Sequence, residues 1–186
     1  VGATVVAAYL VEAKQSVIEN MAPVLTRVFT PLAAAMLVVL VVVMAVSGLG
    51  PDAERELLIV SDLLLVLVLG LLLYSWSARD AAAPPGAFDW LQLVLVVAAL
   101  VVDAFGLVAM GSRISSFGPS PNKVAALGMN LVLLVNLAWS AWLLVAFLRR
   151  KVPFAALERW QTDYLPVFGA WAAVVVVAIG PVFGFA

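Results

Sequence analysis

Between Pro31 and Phe185 the chain passes through five apolar stretches, Pro31–Leu49, Leu57–Trp76, Trp90–Gly111, Val124–Leu148 and Tyr164–Phe185. A bilayer's hydrocarbon core is about 30 Å thick, which a helix crosses in about 20 residues. Inside it every backbone N–H and C=O must be satisfied by the protein itself, and a helix does this within each segment. The pattern therefore predicts an all-α, polytopic transmembrane helix bundle of about five spans, occupying residues 31–186. The intervening segments, Gly50–Glu56, Ser77–Asp89, Ser112–Lys123 and Arg149–Asp163, carry nearly all the charge.

Composition agrees with a lipid solvent. Of 186 residues, 66% are hydrophobic and 11% charged, and the mean hydropathy is +1.17. Soluble domains use about half apolar and a quarter charged residues. Ten basic residues against eleven acidic ones leave a net charge of −1, with no basic surplus to neutralise a phosphate backbone, so no nucleic-acid partner is expected. Cysteine and histidine are both absent. That removes the thiolate and imidazole ligands on which zinc, haem and iron–sulfur sites depend, and with them Ser-His and Cys-His nucleophile pairs. The expectation is no metal, no cofactor and no enzymatic activity.

Two stretches read as cytoplasmic interfacial helices. Residues 1–30 form an amphipathic segment or the tail of an earlier span, with Val17, Ile18, Met21, Val24, Leu25, Val28, Phe29 and Leu32 at one-face spacing. The second stretch places Phe154, Leu157, Trp160 and Tyr164 together, with Glu158, Arg159, Gln161 and Asp163 on other faces. Packing on the bundle as a connector is the alternative for both. The opening Val1, without a signal-peptide pattern, reads as the start of a fragment or processed piece. Ser77–Asp89, with its Ala-Ala-Ala-Pro-Pro-Gly run, reads as a flexible connector.

Basic residues favour the cytoplasmic side of short loops. Putting Arg149, Arg150 and Lys151 inside places Lys14, Arg27, Arg79 and Arg159 there as well, against Arg55, Arg113 and Lys123 outside. The expected topology is N-terminus in and C-terminus out, in a bacterial inner (plasma) membrane.

A charge in mid-span costs about 3 kcal/mol or more, so an intramembrane carboxylate raises a functional question by itself. Asp62 and Asp103 are such residues. At 1.5 Å per residue, Asp62, Asn130 and Asp103 fall roughly 8, 9 and 12 Å from the same end of their spans, in one outer layer. Asn136 and Ser140 extend the polarity along the fourth span as a polar track or as interhelical hydrogen bonds. One reading of Asp62, Asp103, Asn130 and Asn136 is a proton- or ion-linked site. The other is structural, with polar side chains bridging neighbouring helices. An intramembrane aspartyl protease also needs two facing carboxylates, but neither Val60-Ser61-Asp62-Leu63 nor Val102-Asp103-Ala104-Phe105 has that family's surroundings.

The segment Arg113–Lys123 places two cations, two internal prolines and a glycine between two spans. Ser120 is expected to cap the next helix, with Pro121 in its first turn. Arg113, Ser120, Asn122 and Lys123 are candidates for holding an anion such as a lipid phosphate, or for simply anchoring at the interface. Pro166 and Pro181 are candidates for breaking the last span around a cavity. Gly106, Gly128, Ala138, Gly169, Ala172 and Ala173 permit close helix contact.

The motif Arg113-Ile114-x-x-Phe117-Gly118-x-Ser120-Pro121-Asn122-Lys123, followed by the helix containing Asn130 and Asn136, resembles the Arg-Ile-x-x-Tyr-Gly-x-Thr-Pro-x-Arg stretch of bacterial multi-span proteins in the DUF4153 and DUF4173 group, a domain of unknown function. Tyr164-Leu165-Pro166 and Gly180-Pro181-Val182-Phe183-Gly184 are similar too, so the resemblance covers about Asp103–Ala186. Ser120 and Lys123 stand where Thr and Arg are more usual. The resemblance implies a membrane bundle with further spans ahead, and no known activity. Together these features lead to an expected role as a non-enzymatic structural or accessory subunit, packing against lipids and partner membrane chains or missing N-terminal spans; a segment of a proton- or ion-linked transporter is the alternative.

Overall fold

The computed structural model describes residues 26–46 and 55–184. Five helices account for almost all of them: α1 (Thr26–Val46), α2 (Arg55–Ser77), α3 (Ala87–Phe117), α4 (Pro121–Leu148) and α5 (Ala155–Val174). The last continues through a π-helical turn, Val175–Ile179, into a final turn, Gly180–Val182. No strand occurs among the described residues. Each of the five is long and apolar enough to cross a membrane, so the chain is a multi-pass membrane protein with an all-α bundle fold. Residues 1–25, including most of the first amphipathic stretch and Lys14, lie outside the described residues, as do 47–54 and the last two residues.

Short connections make α2, α3, α4 and α5 alternate in direction. The most extensive contact is between α3 and α4, followed by α4 with α5 and α2 with α3. Leu37, Leu65, Leu72, Leu95, Val102 and Leu137 belong to one buried cluster drawn from α1 to α4. On the outer faces Leu63, Val66, Val108, Leu131 and Trp142 are exposed. Helices apolar on all sides are expected where lipid replaces water. Lipid tails are as apolar as leucine, so the bundle is held by close packing and interhelical hydrogen bonds instead of hydrophobic expulsion.

The helices outrun the apolar segments that predict them. Instead of a loop over Ser112–Lys123, α3 continues to Phe117 and α4 begins at Pro121, leaving Gly118, Pro119 and Ser120 as the connection. Hydropathy marks the hydrocarbon thickness, whereas helix ends follow backbone signals. Gly118 has φ +75°, which side-chain-bearing residues avoid, and Pro121 restarts a helix at its N1 position. Ser120 occupies the N-cap position, yet its hydroxyl makes no capping bond.

The stretch from Phe154 to Tyr164 is the beginning of the last helix and not a separate surface helix. Leu157, Gln161 and Tyr164 are buried, spaced i, i+4, i+7 on the face toward α4. Neither proline breaks this helix. Pro166 sits within continuous α-helix, and Pro181 follows the widened π turn, which makes room for a ring that crowds the carbonyl four residues earlier.

The Ser77–Asp89 connection is pinned. Arg79 donates from Nε and Nη2 to the two carboxylate oxygens of Asp89, each at 3.0 Å, and also binds the carbonyls of Asp80 and Pro84. Its guanidinium lies 4.7 Å from the ring centre of Phe147 and 4.4 Å from that of Phe154. Beside it, Trp76 Nε1 donates to Gln92 Oε1 at 3.0 Å. This clamp ties α2, α3, α4 and the start of α5 together at one end of the bundle. Hydropathy passes over it because its members are scattered across four segments.

Candidate functional site

Asp62 on α2 and Asn130 on α4 meet between the helices. Asn130 Nδ2 donates to Asp62 Oδ1 at 3.0 Å. On α3 the facing position is Gly106, where a Cβ would lie only 3.7 Å from Asn130 Nδ2. Asp103 is three residues, nearly one turn, before Gly106 on α3, close enough to Asp62 for the two carboxyls to interact electrostatically. The layer expected from segment depths is therefore a spatial cluster of α2, α3 and α4.

Its members differ in how they are satisfied. Asp62 is half-buried and bonded. Asp103 is 0% exposed, and neither of its carboxylate oxygens has a hydrogen-bond partner among the described residues. A bonded carboxyl in a bundle needs no further explanation. An unpartnered one does, because an ionised carboxylate in that setting is heavily penalised unless a proton, a cation or a donor offsets its charge.

Asn136 belongs to a different network. Its Nδ2 donates to Gln161 Oε1 at 3.3 Å, while Gln161 Nε2 reaches Asn136 Oδ1 at 3.4 Å and Ser140 Oγ at 3.0 Å. All three residues are buried. Trp160 Nε1 adds a 3.4 Å bond to the Asn136 carbonyl, and Tyr164 Oη donates to the carbonyl of Val132 at 2.8 Å. The second part of the expected polar track is thus a seam of interhelical hydrogen bonds between α4 and α5. Gln161 is the residue that a surface-helix reading misses, although its spacing from Leu157 and Tyr164 puts it on their face.

The four candidate anion-binding residues around the α3–α4 turn converge with the carboxyl layer. Arg113, Ser120, Asn122 and Lys123 line one cavity of about 410 Å³ whose lining also includes Asp62, Leu58, Ile59, Met110 and Ala126. Lys123 Nζ donates to the Gly118 carbonyl at 3.1 Å and lies 5.8 Å from the Phe117 ring centre. The two regions separated in sequence are therefore one place: a cavity of mixed lining at the end of the bundle, then Asp62 with Asn130, then Asp103 in the interior. No group of three or more metal-ligating side chains occurs among the described residues.

No family model, curated protein or solved structure matches this chain.

Proposed function

We propose that this chain is a proton- or ion-linked membrane transport element, with Asp103 as the exchanging carboxyl and Asp62 with Asn130 as its relay toward the cavity. The single observation behind this reading is the fully buried Asp103 carboxyl, which has no hydrogen-bond partner among the described residues. If all the intramembrane polar residues were structural bridges, each would be bonded across helices. Asp62, Asn130, Asn136, Ser140 and Gln161 are so bonded; among the described residues the buried hydroxyls of Thr30 and Ser75 share the lack of a partner with Asp103, but Asp103 is the one that can carry a charge. A small cation or a proton supplies the charge that Asp103 lacks, and Asp62 offers the next acceptor on the way to the cavity. The reading is non-enzymatic, with no metal or cofactor. It places the cluster in the outer half of a bacterial inner membrane, with the Arg149–Lys151 end cytoplasmic. Membership in the DUF4153 and DUF4173 group is part of the same proposal and rests on the Arg113–Lys123 motif.

A second role, packing against partner chains as an accessory subunit, has its own support. No residue from 165 to 182 is buried against the described bundle, so the second half of α5 and the turns that follow it are available to lipid or to another chain. The two roles are compatible, since transport elements are often parts of larger assemblies.

The test is proton uptake into proteoliposomes under an imposed potassium diffusion potential. The wild-type chain is expected to acidify the lumen, and Asp103→Asn to reduce uptake to the level of empty liposomes while eluting as an intact protein. Uptake by Asp103→Asn equal to wild type would overturn the proposal.

A further inference from the structure

The cavity at the α3–α4 connection combines features that neither its loop nor its helices show alone. A cation projects from the end of α3, Arg113, and another from the start of α4, Lys123, and both line the same space as Ser120 and Asn122. Aliphatic side chains, Leu58, Ile59, Met110 and Ala126, line the same space. Among the described residues Asp62 is the acidic side chain in the lining. A space of about 410 Å³ lies within the range of small-ligand sites. Two cations and several aliphatic side chains around one space suit an oxyanion joined to an apolar group.

We propose that this cavity binds such an amphiphilic oxyanion and that its binding is linked to the charge on Asp62. The linkage follows from the shared wall. An ionised Asp62 in the lining repels the anion. A proton on Asp62 removes that repulsion, so anion and proton bind together and the anion binds more tightly as the pH falls. Among the described residues the groups facing Asp62 are Asn130 from α4, which donates to it, and Asp103 from α3, with Arg113 and Lys123 lining the same cavity. This coupling rests on the proposed proton-linked function, whereas the anion site itself does not.

Two sources supply this chemistry, an anionic lipid headgroup and a small soluble organic anion. Binding is measured with the full chain in phosphatidylcholine nanodiscs, using phosphatidylglycerol as one probe and octanoate as the other. The double variant Arg113→Gln/Lys123→Gln is expected to lose at least about tenfold in affinity for one of the probes, the loss expected from removing charge-assisted bonds. Arg149→Gln/Lys151→Gln removes two exposed cations elsewhere and is expected to bind as wild type does. Loss for phosphatidylglycerol alone identifies a lipid site, and loss for octanoate a soluble-ligand site. Asp62→Asn is expected to bind the same probe tightly at all pH values, where wild type weakens as pH rises.

Unchanged affinity in the Arg113/Lys123 variant for both probes overturns the site. A pH dependence that survives in Asp62→Asn overturns the linkage. Asp103→Asn separates this inference from the transport proposal. If it abolishes proton uptake while the Arg113/Lys123 variant binds normally, the anion site fails and transport stands. If uptake is unaffected and probe binding is lost in the Arg113/Lys123 variant, transport fails and the site stands.

Discussion

Gln161 and Asp103 are both polar residues buried in an apolar bundle, but the structure treats them in opposite ways. Gln161 uses its amide to join Asn136 and Ser140, which fixes α5 against α4 where lipid offers no competing partner. Interhelical bonds of this kind contribute about 0.6 kcal/mol on average and up to about 1.7. Asn136→Leu and Gln161→Leu are each expected to lower stability in detergent by about 1 kcal/mol. The double variant should lose less than the sum of the two, because each single change strands the other amide. Additive losses in a denaturation series would show that the pair is uncoupled. Asp103 has no such partner among the described residues, and the contrast cannot be read from sequence. Hydropathy marks both residues as polar within apolar surroundings. Whether a donor faces them depends on how the helices are rotated against one another, which places Asn130 beside Gly106 on α3.

Among the helices, spans are more legible than ends. Every expected span falls on a helix as far as it is described, because hydrocarbon thickness constrains apolar length strongly. The ends are set by local backbone chemistry that hydropathy does not record. At the end of α4 the Arg150 N–H bonds the Phe147 carbonyl at 2.8 Å, and the Lys151 N–H bonds the Ala146 carbonyl at 2.9 Å. This is the paired closure of a Schellman turn. Arg150 occupies its left-handed position with φ 56°, where glycine is the usual residue. Arg150→Gly is therefore expected to stabilise the fold by about 1 kcal/mol, measured as a raised unfolding midpoint. A lowered midpoint would mean that the Arg150 side chain contributes more than its backbone strain costs.

Contact between α4 and α5 also depends on a small residue. The Trp171 ring lies where a Cβ of Gly128 would be, and its Nε1 donates to the Ala125 carbonyl at 3.2 Å. Gly128→Ala is expected to displace the ring, cost about 1–3 kcal/mol and change the tryptophan emission. An unchanged spectrum and midpoint would show that the ring has room to move. The sequence names Gly128 as a small residue that permits close approach, but not the tryptophan that uses it, because Trp171 is 43 residues further along the chain.

Among the described residues the bundle carries a clamp at one end and a cavity at the other. At the clamp Arg79 binds Asp89 against two phenylalanine rings, and Trp76 is fixed on Gln92. At the other end the cavity lined by Arg113 and Lys123 reaches Asp62, with Asp103 deeper in the bundle. The sequence points to both the carboxyl layer and the cationic connection. Their convergence depends on α3 continuing to Phe117 and on the three-residue turn that brings Arg113 and Lys123 to the same space. Apolar length carries no information about that turn. The central claim is that Asp103 exchanges a proton or small cation inside this bundle, and carbodiimide modification tests it most directly. Dicyclohexylcarbodiimide enters apolar regions and reacts with carboxyls that hold a proton, and peptide mass spectrometry locates the adduct. The account predicts an adduct at Asp103 whose yield falls as pH rises or as a transported cation is added. An Asp103 adduct formed equally at every pH and in every salt would contradict it.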